Sequence, residues 1–440
     1  MMPLTHVALL LFGMLALFGC DQPGTGASAG IDSVAVTSSD SLRVRTGADV
    51  LAERGFDVLQ GQRVGLVVNH TAMVDSVHLI DLVHEAEGVD LSVLFGPEHG
   101  IRGTADAGAK IEHGRDPETN APIYSLYGET RKPTPAMLND VDVLVFDIQD
   151  IGARFYTYIS TMGLAMQAAA ENDVAFLVLD RPNPLGGELV SGFLLESEYT
   201  SFVGQFNIPM VHGLTVGELA RMIKGEALMD GLENLRLDVI PMDGWNRAMQ
   251  WPETGLPWIS PSPNIPDFET ALIYPGAVLF EATSASEGRG TRAPFKQIGA
   301  PWADGPALAR DLNQQSLPGV RFEAVDFTPA SIEGMAANPK LEDTELQGIG
   351  YVITDSKTFR PVETGIHVLD AFRKQAQEKQ ISDLISRPDW LARLSGTDRL
   401  LEMLESGKTP ADIAAAWQSE VEQFRQSRMK YLLYEERNKD

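Results

Sequence analysis

The 440-residue chain has one cysteine, Cys20, so no disulfide can form within it. Any folded part must hold together by an apolar core, and 44% hydrophobic residues suffice for one. Basic charge is also scarce. The 35 Lys and Arg stand against 61 Asp and Glu, a formal net charge of −26. That balance excludes nucleic acid, whose phosphates demand basic surface, and anionic lipid as a direct partner. Solubility accounts for the acidity. Metal-ligand spacings of the HExxH or Cys/His kind are missing, so the sequence supports no metal and no cofactor. A GKS or GKT phosphate loop and a GxSxG elbow are missing too. Gly288–Ala293, GRGTRA, fits a loose GxGxxA dinucleotide pattern. No strand leads into it and Pro294 follows at once, so it cannot open the helix that pattern requires.

Long apolar runs are confined to the N-terminus. Val7–Phe18 is broken only by Gly13, too short for a comfortable span and the length of a signal-peptide core. Leu17–Cys20, LFGC, follows it and resembles a bacterial lipobox, with Cys20 as the residue to be lipidated. Met1–His6 lacks the Lys or Arg that such signals carry, so a plain secretory signal or a buried apolar terminus stays open. Asp21 after the cysteine resembles an inner-membrane retention signal of enteric-type bacteria. Residues 21–43, rich in Gly, Ser, Thr and Asp, read as a flexible tether between a signal segment at 1–20 and a fold beginning at Val44.

Four apolar runs then share one pattern. Val64–Val68, Leu91–Phe95, Val141–Phe146 and Val174–Leu179 each end in a polar cluster. Such runs predict strands buried on both faces, and the helical patterns between them predict an open parallel sheet with helices on both sides. Ligands bind beyond the carboxyl ends of such strands, where all four polar clusters fall. Thr215–Glu218 is a capping box opening a helix, Leu237–Ile240 a further strand, and Trp245–Asp267 a Pro- and Trp-rich ordered connection near the site. The segment ALIYPGAVLFEATSASEGRGTRAPF reads as a short strand and a polar loop. With LQGIGYVITD as a strand and a helical end whose core stripe is Ile413, Trp417, Val421 and Phe424, it makes a second α/β domain. The expected division is 44–265 for a Rossmann-like domain and 266–440 for a smaller one.

The loops carry the chemistry. FGPEHGIRG, Phe95–Gly103, presents Glu98, His99 and Arg102 in a turn rich in glycine. Glu98 is either a general acid or base raised by a cleft, or a solvated helix cap, and spacing does not choose. Asp147 and Asp150 suit a second carboxylate of a glycosidase pair, metal ligands beside His70, His99 and His113, or caps for the helix after Phe155. Arg102, Arg154, Arg181, Arg289 and Arg292 sit in or beside Gly/Pro-rich loops, where arginine grips carboxylates bidentately or does nothing of the kind.

Taken together, LFGPEHGIRG, DVLVFDIQDIGARFYTYISTMG, VLDRPNPLGGE, HGLTVGELA, GLPWISPSPNIP, LFEATSASEGRGT and IGAPW resemble the exo-β-N-acetylmuramidase family typified by NamZ. The resemblance runs from about Val44 past Trp302 and weakens afterwards. It implies a Rossmann-like domain, a smaller C-terminal domain and a cleft between them. It also implies removal of β-1,4-linked N-acetylmuramic acid from non-reducing ends of peptidoglycan fragments, such as muropeptides, without a cofactor. The glutamate of the PEHG motif is the family's proposed catalytic residue and matches Glu98. Asp147 or Asp150 would then be base, nucleophile or the group orienting the sugar's acetamido. The lactyl carboxylate calls for Arg102, Arg154, Arg181 or Arg289. Tyr156, Asn183 and His212 would hold hydroxyls or the ring face, and His99, Asp180 and Glu287 complete the substrate-binding set. A lipid anchor at Cys20 would place the enzyme facing the cell-wall compartment and be its only link to a membrane. A sugar-binding lipoprotein and a metal-dependent hydrolase are the rival classes.

Overall fold

The four apolar runs become neighbouring strands because each is buried on both faces. The computed structural model describes residues 43–98, 100–102, 114–128 and 130–435. The expected signal segment, Cys20, nearly all of the tether, His99 and His113 lie outside the described residues. The main sheet consists of β1 (Arg63–Val68), β2 (Asp90–Gly96), β3 (Gly114–Arg115), β4 (Pro122–Ser125), β5 (Val143–Asp147), β6 (Ala175–Leu179) and β7 (Leu237–Ile240). Their spatial order is β7-β6-β5-β1-β2-β4-β3, parallel throughout except for β3 against β4.

Alternation along each strand feeds two cores. Val67, Val93, Phe95, Leu144, Phe146, Phe176 and Val178 pack on one face, with the helices Tyr158–Glu171 and Val216–Gly225. Leu66, Val68, Leu94, Val143, Val145, Leu177 and Leu179 pack on the other, with Gly47–Glu53 and Leu79–Glu85. Each such side chain contributes about 1.5–3 kcal/mol by leaving water. The capping box forms as its spacing predicts: Thr215 Oγ1 accepts from the Glu218 amide at 3.2 Å, and Glu218 Oε2 from the Thr215 amide at 3.1 Å.

A second, smaller lobe follows Asp267. It holds an antiparallel sheet of β8 (Gln297–Ala300), β9 (Val320–Phe327) and β10 (Leu346–Ile353) in the order β8-β10-β9, and a helical C-terminal part. The helices Phe268–Ala277 and Pro361–Glu378 cross at Gly276 and Gly365, where a Cβ on either would run into the other's backbone. One apolar core runs from β2 through both lobes to Phe424. Among the described residues no helix is long and apolar enough to cross a membrane.

The helix after β1 begins at Leu79, because Val77–His78 pairs with Met73–Val74 and His78 caps the helix. One expectation is corrected. Phe268–Ala277 is a helix and not a strand: Asp267 caps it, and its eight residues from Thr270 onward are all buried. A helix buried on every side shows no amphipathic period, so its sequence reads like a buried strand.

Candidate active site

The chain passes from β1 outward to β2 and β4, then returns to β5 on the other side of β1. Strand order reverses there, which opens a crevice beyond the carboxyl ends. Asn69 leaves β1, Glu98 follows β2, Asp147 and Asp150 follow or end β5, and Asp180 follows β6. The expected rim is therefore real, but its residues divide into those that line a cavity and those that build its walls.

A cavity of about 170 Å³ lies between the lobes. Glu98 and Tyr156, Thr157 and Tyr158 line it from the first lobe, and Tyr274, Glu281, Arg289 and Trp390 from the second. The tyrosines meet edge to face, with ring centroids 5.1 Å apart for Tyr156–Tyr158 and 6.2 Å for Tyr156–Tyr274. Among the described residues the buried Tyr156 hydroxyl has no partner beyond the neighbouring Tyr158 hydroxyl. Burial, and then the Glu98 carboxylate, pushes the Tyr127 hydroxyl up to about 12. The connection Trp245–Asp267 is irregular, as expected, and closes the first-lobe side. Tyr158 donates to Pro261 O at 2.7 Å, and Ser262 reaches the cavity.

Arg289 brings the cavity its cation. It donates to Glu281 Oε1 at 2.8 Å and lies 3.6 Å from Glu287 Oε1. Burial opposes its charge, but Glu281 and Glu287 outweigh burial and hold its pKa above the ordinary arginine value. The second oxygen of Glu281 accepts the Trp390 indole N–H at 3.3 Å. Glu287 sits behind this pair, buried, with Lys340 Nζ at 2.7 Å. Lys340 also holds the carbonyls of Phe280, Thr283 and Ala285, so the loop is braced from behind.

Asp147 and Asp150 do not line this cavity. Asp147 is fully buried and bidentate with Arg181, at 2.5 and 2.9 Å. Asp150 lies behind the tyrosine wall, where burial pushes its pKa up to about 7 against the amides of Gly152 and Ile151. His212 Nδ1 accepts from Leu214 N at 3.2 Å, which puts the ring proton on Nε2, 3.8 Å from Asp150 Oδ2. Burial, with Arg428 and Arg154, pushes His212 down to about 3, so its ring is neutral. A carboxyl raised on folding holds its proton in the native state after the unfolded chain has lost it. Its stabilisation is complete below about pH 4 and is lost as pH rises through about 7. Relative to Asp150→Asn, the wild type should lose up to roughly 4 kcal/mol between those limits, read by urea unfolding at several pH values.

The remaining expected residues are engaged in the scaffold. Arg102 pairs with Asp116 at 3.1 Å and Asp81 at 3.0 Å. Arg154 is fully buried and donates to the carbonyls of Phe193, Ile208 and Leu394, and burial pushes its pKa down to about 9. Asp180 caps the helix Val216–Gly225 through Gly217 N at 2.8 Å and accepts from Thr215 and Tyr434. Asn183 ties Leu214 O to Leu185 N. Among the described residues no group of three His, Cys, Asp or Glu is arranged to hold a metal ion. Glu281, Tyr158, Tyr274 and Trp390 escape the sequence reading. Glu281 lies eight residues before Arg289 in LFEATSASEGRGT, a signal that was available. Trp390 has none, since nothing near it in the chain belongs to the sheet rim.

The fold defines a two-lobed α/β protein with a cavity between its lobes, beside the switch point of a parallel sheet. The chain belongs to the NamZ family. Residues 64–269 match the model for exo-β-N-acetylmuramidase NamZ, N-terminal, and residues 272–434 the model for its C-terminal part. It is 41% identical over 433 residues to peptidoglycan β-N-acetylmuramidase NamZ of Bacillus subtilis (strain 168), covering 97% of each chain. Two crystal structures of DUF1343 family proteins from Bacteroides fragilis NCTC 9343 share the fold. One is 40% identical with a TM-score of 0.82, covering 90% of this chain and 100% of that one. The other is 34% identical with a TM-score of 0.73, covering 90% and 99%.

Proposed function

We infer that this chain is an exo-acting glycoside hydrolase that releases terminal β-1,4-linked N-acetylmuramic acid from the non-reducing ends of peptidoglycan fragments. The observation that carries the reading is one cavity lined by Glu98 from the first lobe and by Arg289 and Glu281 from the second. Glu98 protonates the glycosidic oxygen as its bond to the anomeric carbon breaks, and water completes the hydrolysis. Both oxygens of Glu281 are engaged by Arg289 and Trp390, so it positions those two side chains. Turnover of MurNAc-GlcNAc to its two sugars, unchanged in EDTA, tests the activity. Tight binding without products would make the chain a sugar receptor, and loss in EDTA a metal hydrolase.

Of the arginines expected to read the lactyl carboxylate, Arg289 alone lines this cavity. A charge-assisted hydrogen bond is worth about 1.5–3 kcal/mol. Arg289→Gln should therefore lower kcat/KM for a β-N-acetylmuraminide by roughly 10- to 150-fold and leave the matching N-acetylglucosaminide unaffected. An equal loss on both sugars would remove Arg289 from that role.

The placement follows the chemistry of the substrate. The apolar run Val7–Phe18 and Cys20 support export, lipidation at Cys20 and a tether that leaves the enzyme facing the periplasm or cell wall. Cys20→Ala should move the protein from the membrane fraction to the soluble fraction, and membrane retention in that variant would count against the anchor.

A further inference from the structure

Trp390 serves two concavities. Its ring is a wall of the Glu98 cavity, and it also borders an open recess of about 370 Å³ beside the helix Pro388–Ser395. Arg387, Asp389 and Arg393 line that recess with Ser386 and Pro388. Its backbone is fixed to the segment that carries Glu281. Thr283 pairs with Ile385, Ser284 N donates to Leu384 O at 2.8 Å, and Arg387 N donates to Ala282 O at 3.0 Å. Since Glu281 accepts the Trp390 indole N–H, recess and cavity share one rigid partition.

The recess brings together two arginines of this chain. Most of its buried or half-buried arginines meet a carboxylate, Arg102, Arg181, Arg247 and Arg289 among them. Arg387 and Arg393 are exposed, and neither guanidinium has an ion pair or hydrogen bond among the described residues. Arg387 lies over the Trp390 ring, 4.9 Å from its centroid. Asp389 occupies the first turn of the helix, where its charge faces the positive end of the helix dipole. What remains is a recess on the far side of the Trp390 wall, with one guanidinium over that ring and a second on the same helix.

We propose that this recess is an accessory subsite for a carboxylate that the substrate carries beyond the sugar being released. The extension passes the Trp390 side chain, and its carboxylate lies between Arg387 and Arg393. Resting on the muramidase reading, the subsite has two chemical sources for that group. One is the lactyl carboxylate of the next muramyl residue along a peptide-free glycan. The other is an acidic peptide amide-linked to the lactyl group of that next muramyl residue.

The test is the Arg387→Ser/Arg393→Ser double variant against the wild type on three substrates: 4-nitrophenyl β-N-acetylmuraminide, the peptide-free tetrasaccharide (MurNAc-GlcNAc)2, and the same tetrasaccharide bearing an acidic peptide on its internal lactyl group. Exposed pairs are weak, so the expected loss in kcat/KM is roughly 3- to 30-fold, fading with added salt. It should fall on the peptide-free or the peptide-bearing tetrasaccharide and spare the nitrophenyl glycoside. Which of the two falls identifies the source of the carboxylate. An active wild type with a double variant that matches it on all three substrates, or that loses equally on all three, overturns the subsite alone. A wild type inactive on all three overturns the muramidase reading and the subsite with it.

Discussion

Glu98→Gln should lower kcat on MurNAc-GlcNAc by roughly 10²- to 10⁴-fold with little change in KM. Glutamine keeps the size and much of the polarity of the side chain but has no proton to deliver. Sugar departing as an alcohol needs that proton, because the bare alkoxide is a poor leaving group. A nitrophenolate does not, so the same variant should lose far less on 4-nitrophenyl β-N-acetylmuraminide. The contrast between the two substrates is the measurement. Equal, large losses on both would move Glu98 from acid to nucleophile or base, and full activity on the disaccharide would remove it from the mechanism. Glu98 lies directly after β2, beside the point where strand order reverses, and it faces Tyr156 and Tyr158 across the cavity. That placement lets one side chain of the first lobe reach a bond held by the second.

Arg181→Ala should destabilise the protein by about 3–5 kcal/mol, a larger effect on folding than any surface change. Arg181 is 6% exposed and Asp147 not at all, and they form a bidentate pair at the carboxyl end of β5. Truncating the arginine leaves a carboxylate in an apolar sheet with no counter-charge, and that uncompensated charge is the source of the cost. Replacing both partners, as in Asp147→Leu/Arg181→Met, should recover most of the loss, because neither charge is then buried. Urea unfolding reads both variants. The fraction of Arg181→Ala that stays folded should keep the wild-type KM. A raised KM with normal stability would instead assign Arg181 to the lactyl carboxylate.

These two residues mark how far the sequence could be read. Both lie in polar clusters after apolar runs, and both were candidates to meet a substrate. The strands themselves were legible because a continuous run such as Val174–Leu179 suits burial on two faces, which is a local property. Their shared rim followed from the parallel topology that such runs impose. The capping box at Thr215 was legible for the same reason, since it closes within three residues. The helix Phe268–Ala277 was misread because full burial erased the period on which the reading depends.

Partner choice was beyond reach. Arg181 finds Asp147 across 34 residues, Arg102 finds Asp81 across 21, and Arg154 finds Leu394 O across 240. No spacing rule reports such pairings. The sequence by itself determined a parallel α/β sheet, a polar rim at its carboxyl edge, the family resemblance and Glu98 as the acid worth testing. Only the tertiary structure decided that Arg289 brings a cation to the cavity, that Glu281 and Trp390 stand beside it, and that Asp147 and Asp150 do not line it. The physical reason is that strands and caps are set by neighbours in the chain, whereas charge pairing and burial are set by neighbours in space.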